Sequence, residues 1–248
     1  FTKAQCLFDL GGRPLQIQKT LQAPGGSGII KFFNVGDVTF TATGKLKSRG
    51  DFVEPQGFVI AGGTISIVSS GVITLQGKAI VDVLGDGAGT IHLEAAGANA
   101  NGIGIDLQNG SNVLGIGHTD SADPGTGMRF TDGGLIELIA STGGIADAAT
   151  ITLTGTNQGA GGEIDMTAAR TIAITESIDA TGGGGDGGTI DIEAGDTITV
   201  KKTLDVSSTV GAGFGGSLLL LGGDGGLALP GGAGGGGVTL DMTNNAQL

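Results

Sequence analysis

Of the 248 residues, 53 are glycine, and the formal net charge is −12. Glycine at about three times its usual share of about 7% has no three-residue period, which excludes collagen, and regular alternation of Ile, Leu and Val with polar residues excludes a disordered low-complexity chain. The negative charge argues against nucleic acid as a partner, since phosphate is repelled, and the absence of Trp and Tyr weakens any reading in which aromatic rings stack on sugars or bases.

Taken in order, the chain breaks into short strands of period two, each with one apolar and one polar face. Residues 7–28 read as a first coil, LFDL, PLQIQ and TLQA, closing on APGGSG. A second starts at Ile29 with IIKFF, DVTFT and GKLK and carries an insertion over 48–58. The third, from Thr64, is uninterrupted: TISIV, VITLQ, AIVDV. The fourth opens at Thr90 with TIHLE and IGIDLQ and carries a second insertion over 117–132, and the fifth opens at Leu135. The insertions are expected to bulge from the rod as loops, where scaffolds of this kind carry specificity. The next two coils align residue for residue, with strands opening at Glu163 or Thr189, at Thr171 or Thr197, and at Ser177 or Thr203. An eighth starts at Ser217 with SLLLL and LALP, and VTLDM, from residue 238, reads as the start of a ninth.

Three short strands per repeat, recurring every 26 to 28 residues over 161–216 with a glycine-rich third turn, is the signature of a solenoid. The expected fold is all-β: a right-handed parallel β-helix, one domain over 1–248, of about eight coils of 21–28 residues. Handedness follows the rule for parallel crossovers, and the rod should be on the order of 40 Å long at the strand spacing. No 3.6-period stripe persists, so no helix is expected, and no apolar run approaches the roughly 18 residues that would span a membrane. The glycine clusters GGGGDGG and GDGAG miss the spacing of calcium-binding nonapeptides and read as tight turns that need positive φ. One cysteine, Cys6, permits no internal disulfide. The chain starts at Phe1 with no signal peptide, which points to a removed leader or to a piece of a longer chain.

The repeats GGTIDIEAGDTITVKKTLDVSS and GGTISIVSSGVITLQGKAIVDV resemble the β-helical repeat regions of filamentous-haemagglutinin-like exoproteins and autotransporter passenger domains, over most of the chain. The resemblance implies an extracellular or cell-surface rod used for adhesion or as a structural fibre.

Three features could carry chemistry. The outward central position of the first strand forms a ladder of Asp9, Lys31, Ser66, His92, Glu137, Asp165, Asp191 and Leu219. Its carboxylates Glu137, Asp165 and Asp191 would stack about one coil apart, and a divalent cation between them, calcium by preference for oxygen ligands, would relieve their repulsion. The plainer reading is a solvated acidic face. Arg49, Gly50 and Asp51 form an Arg-Gly-Asp tripeptide in the first insertion that an integrin-type receptor could read. Thr39, Thr41, Thr74, Thr171, Thr175, Thr197 and Thr199 make the second face rich in threonine, which also simply suits strands. No catalytic residues are assigned. The competing class is a carbohydrate-active β-helix enzyme, a polysaccharide lyase or hydrolase using the acidic face, but no base, acid or arginine recurs beside the carboxylates.

Charge is distributed unevenly. Residues 1–50 carry seven cations against two carboxylates, a net +5, and the remainder carries −17. The first and last strands have ordinary coil pattern with no capping helix, and uncapped solenoid ends expose strand edges and apolar interior. The expected partner is the chain itself, docked head to tail, or the rest of a longer rod, with a host or neighbouring-cell surface as the outer partner.

Overall fold

The structure is a computed structural model, and it describes residues 5–23, 28–50, 61–85, 87–117, 130–209, 213–223 and 237–240. Among these there is no helix. An 8-stranded parallel sheet, a second 8-stranded parallel sheet and a 7-stranded third sheet each stack their strands in coil order. This is the architecture of a parallel β-solenoid. The first-sheet strands, which number the coils one to eight, are Gln5–Asp9, Ile29–Val35, Thr64–Ser69, Thr90–Ala95, Leu135–Ala140, Glu163–Ala168, Thr189–Ala194 and Ser217–Gly222.

The alternation in the sequence becomes inward columns. In the first sheet Cys6, Ile30, Ile65, Ile91, Ile136, Ile164, Ile190 and Leu218 lie in register up the rod. A second column contains Phe8 and Phe32, whose rings stack with centroids 4.8 Å apart. A third narrows to Ala95, Ala140, Ala168 and Ala194, which lets the chain turn the corner. Facing columns come from the second sheet (Ile73, Ile105, Ile145, Ile172, Ile198) and the third (Leu46, Val81, Val113, Ile151, Ile178, Leu204). All of these are buried except Cys6, Phe8 and Leu218 in the end coils, which are partly buried against the core. Each fully buried aliphatic side chain contributes about 1.5–3 kcal/mol, so the core's strength is spread evenly along the rod.

The glycine-rich corner returns the chain from the third sheet to the first, and the structure corrects the reading of it. Among the described residues the positive-φ glycines are Gly11, Gly12, Gly77, Gly102, Gly110 and Gly223, and none belongs to the paired glycines of that corner. What the pair supplies is close approach. A Cβ on Gly161 would run into the carbonyl oxygen of Ala180 and the amide of Gly188, and one on Gly187 into the carbonyl of Val206. The corner amides are used in full: Gly162 donates to Leu153 at 2.7 Å and Glu163 to Gly134 at 2.8 Å. Gly161→Ala is therefore expected to cost about 1–3 kcal/mol, because backbone is what must move. Gly87→Ala, where a Cβ meets open space, should stay within about 0.5 kcal/mol of the parent. Paired thermal melts check this, and equal melting points would refute the close-approach account.

Three boundaries shift. Leu7, not Asp9, stands opposite Lys31, and Asp9 stands opposite Phe33, so the first strand begins two residues before LFDL. The backbone of Gly237–Leu240 pairs with Thr197–Val200 in the second sheet, so the VTL of VTLDM belongs to coil eight and starts no ninth coil, and residues 241–242 lie outside the described residues. Ser48 is buried and its amide donates to Asp82 at 2.8 Å, as Gly50 does to Leu84 at 2.8 Å. Residues 48–50 thus continue the coil, and 51–58 of the first insertion lie outside the described residues. The second insertion, described at Gly117 and over 130–132, is stitched to coil five at its far end. Phe130–Thr131 pairs antiparallel with Thr156–Asn157, and the Thr131 and Thr156 hydroxyls are 2.6 Å apart.

Candidate functional site

The outer row of the first sheet is the most chemically loaded surface. Its register runs Leu7, Lys31, Ser66, His92, Glu137, Asp165, Asp191, Leu219. Alternation places these residues outward because their neighbours on either side fill the apolar columns. Glu137, Asp165 and Asp191 are successive rungs, about 4.8 Å apart along the rod. Partial burial pushes the Asp165 carboxyl above its usual range, and the charges of Glu163, Asp191 and Glu137 push it the same way. The sign is that of an acid holding its proton more tightly when folded, so this contribution to stability is lost as pH rises.

His92 stands where the row turns acidic. Its Nδ1 is 3.1 Å from Glu137 Oε2 and its Nε2 is 3.5 Å from Glu94 Oε2. Ser66, His92 and Glu137 are consecutive rungs, the residue types of an acyl-transfer triad. The contact that would activate the serine is missing: Nε2 faces Glu94, and among the described residues no hydrogen bond joins Ser66 to the ring. Nor do the described residues hold a group of three His, Cys, Asp or Glu side chains spaced to grip one ion. The row stacks carboxylates without converging them.

The Arg-Gly-Asp tripeptide is divided. Arg49 Nε donates to Asp82 Oδ2 at 2.6 Å and its Nη2 pairs with the same oxygen. Asp82 is 0% exposed and its Oδ1 also accepts the Leu84 amide at 3.1 Å. The guanidinium is thus committed to coil three, and Asp51 lies outside the described residues. On the second sheet, Thr39 and Thr74 share a row with Asp106, Ala146, Ala173 and Thr199, so the threonine face is not continuous. Thr175 instead spends its hydroxyl on the Asp147 carbonyl, 3.1 Å away.

One residue was not foreseen. Asp147 occupies an inward position of the second sheet between Leu107 and Ile174. The signal was present in the sequence, because aligning second strands coil by coil sets GIAD against IDL and IAI. Burial raises its pKa to about 7, against the lowering effect of the Ala149 hydrogen bond and with help from the charge of Glu176.

The chain matches no protein-family model, no curated protein and no solved structure. Among the described residues no helix is long and apolar enough to cross a membrane.

Proposed function

We propose that this chain is a structural and adhesive β-solenoid of the extracellular space or cell surface, working as a fibre segment stacked end on end with copies of itself or with further coils of a longer rod. One observation carries the reading. The outer row of the first sheet is polar or charged from Lys31 to Asp191, yet its outermost described rungs are leucines, Leu7 at 56% and Leu219 at 43% exposure. Leu221 and Phe33 are exposed beside them. Continuing the parallel register from Ser217–Gly222 of one copy to Gln5–Asp9 of the next sets Leu219 against Leu7. It also extends the inner columns, Leu218 to Cys6 and Leu220 to Phe8. The same step brings Gly237–Leu240 to Leu15–Ile17. Apolar burial and strand pairing would supply most of the energy, and the +5 and −17 segments would set polarity and encounter rate. Such a contact does not close on itself and so propagates.

The long polar flank is the surface offered to a host or neighbouring cell. The reading is non-catalytic: among the described residues no nucleophile is hydrogen-bonded to the His92–Glu137 pair of the row, and acidic polysaccharides incubated with the protein should come back unshortened. Unsaturated or shortened products would overturn that part. Electron microscopy of the purified chain tests assembly. Filaments with a rise on the order of 40 Å, eight coils at the strand spacing, are expected, and Leu219→Asp should abolish them while leaving the melting temperature of the monomer in place. A monodisperse monomer at high concentration and moderate salt would refute self-assembly, and intact mass of the natively isolated protein then reads whether the coils continue covalently.

A further inference from the structure

One inward position of the second sheet is not apolar. Its column runs Leu75, Leu107, Asp147, Ile174, Val200, and Asp147 is 1% exposed within it. Oδ1 accepts the Ala149 amide at 2.9 Å. Oδ2 is closed off from solvent and has no hydrogen-bond partner. Among the described residues no cation is placed to neutralise it. Asp106 on coil four bonds outward to Gln108 at 3.0 Å, and Glu137 lies on the outer face of the first sheet. Arg170 is at the opposite end of the coil-six strand, where its amide donates to Gly143. Asp179 on the third sheet caps the Thr181 amide at 3.1 Å. Glu176, on the turn after Ile174, is the charge that acts on Asp147, and it is negative. A carboxylate in such a place carries an unshared charge in a dry medium, which strongly favours keeping the proton.

We propose that coil five is a pH-sensitive joint in the rod: Asp147 is held in the apolar column as a neutral carboxylic acid, and loss of its proton to solvent loosens the packing of coils four to six.

The direction follows from linkage. The folded chain keeps this proton up to about 7, whereas the unfolded chain releases it near the usual carboxylate value of about 4. Between those values the unfolded state binds fewer protons, so this group raises the unfolding constant about tenfold per pH unit, levelling off above about pH 7. Stability from this source is complete at low pH and is lost as pH rises. The local event is more specific than global unfolding. Ionisation should draw Oδ2 toward water, and the turn through Ala148 and Ala149 must then give way, loosening the Ala148 amide's bond to the Leu107 carbonyl, 2.7 Å in the folded chain.

The test uses the full chain with carbon-13 in the aspartate carboxyls, titrated by NMR, with Asp147→Asn to assign the resonance. Amide exchange of the coil-four to coil-six second-sheet strands is followed in parallel, corrected for the intrinsic effect of pH. One resonance titrating near neutrality and absent from the variant is expected, together with protection of those amides that falls toward neutral pH in the parent and not in Asp147→Asn. If that variant fails to fold, Asp147→Leu, which copies Leu107 of coil four, takes its place. Titration of every aspartate below about pH 5.5, within the spread of ordinary carboxyls, would overturn the proposal. So would a near-neutral titration with unchanged protection, because the carboxyl would then be buried without acting as a joint.

Discussion

Replacing Ile190 by aspartate is expected to cost more than about 4 kcal/mol and to leave little folded protein, because an unpaired charge would enter a closed apolar column. Ile190 is 0% exposed and sits in register between Ile164 and Leu218. Its neighbour Asp191 faces outward beside Asp165, so Asp191→Ala should stay within about 0.5 kcal/mol and even relieve repulsion. Denaturant melts of the two variants decide the matter, and equal losses would refute the register. Asp147 is no counterexample. It ends its strand, Gly144–Asp147, where the Ala149 amide of the following turn is free to bond its Oδ1. Ile190 is the second residue of the six-residue strand Thr189–Ala194, in mid-ladder, where no spare amide is at hand.

The contrast marks how far periodicity reaches. Alternation of apolar residues assigned the faces correctly at Ile164, Ile190 and Ile198 because burial on one side of a strand leaves no other arrangement. It could not locate the first strand. A slip of two residues keeps every side chain on the same face, so Leu7 and Asp9 were equally good partners for Lys31 by pattern alone. The same limit explains VTLDM. LALP has the composition of a second-sheet strand, and only the pairing of Val238 with Ile198 shows that coil eight takes its second strand later. Glycine is ambiguous for another reason. Its sequence letter does not say whether the missing Cβ serves a left-handed backbone, as at Gly110, or another stretch of the same backbone passing within contact, as at Gly161.

The candidate site was legible to the same extent. Stacking of Glu137, Asp165 and Asp191 follows from the repeat length and needs no coordinates. What the residues do in the stack depends on side-chain direction. Stacked carboxylates that point alike do not make a cage, and His92 turns between Glu94 and Glu137 rather than toward Ser66. Asp147 is easily passed over because a single aspartate at the end of a strand looks like turn chemistry, the role that Asp179 and Asp205 play for the amides of Thr181 and Ser207 and that Asp147 Oδ1 also plays for Ala149, while its Oδ2 stays buried and unbonded.

Arg49→Ala is expected to destabilise the rod by about 3 kcal/mol, since removing one partner of a buried ion pair strands the other's charge. Asp82 supplies the buried half, with a side chain 0% exposed against 28% for Arg49. Its Oδ2 takes both guanidinium contacts and its Oδ1 the Leu84 amide, so the carboxylate is satisfied only while arginine is present. Lysine could supply the charge but not the paired donors of the guanidinium, and Arg49→Lys should recover no more than about half of the loss. Asp82→Asn keeps an acceptor for Leu84 while removing the charge, so combining it with Arg49→Ala should cost less than the two single losses added together. Added salt should change only part of this, because the Asp82 end of the pair is closed off from solvent and a partly buried pair is less screened than an exposed one. Denaturant melts of the four variants measure each step. If Arg49→Ala proves neutral, the ion pair with Asp82 does not anchor residues 48–50 to coil three.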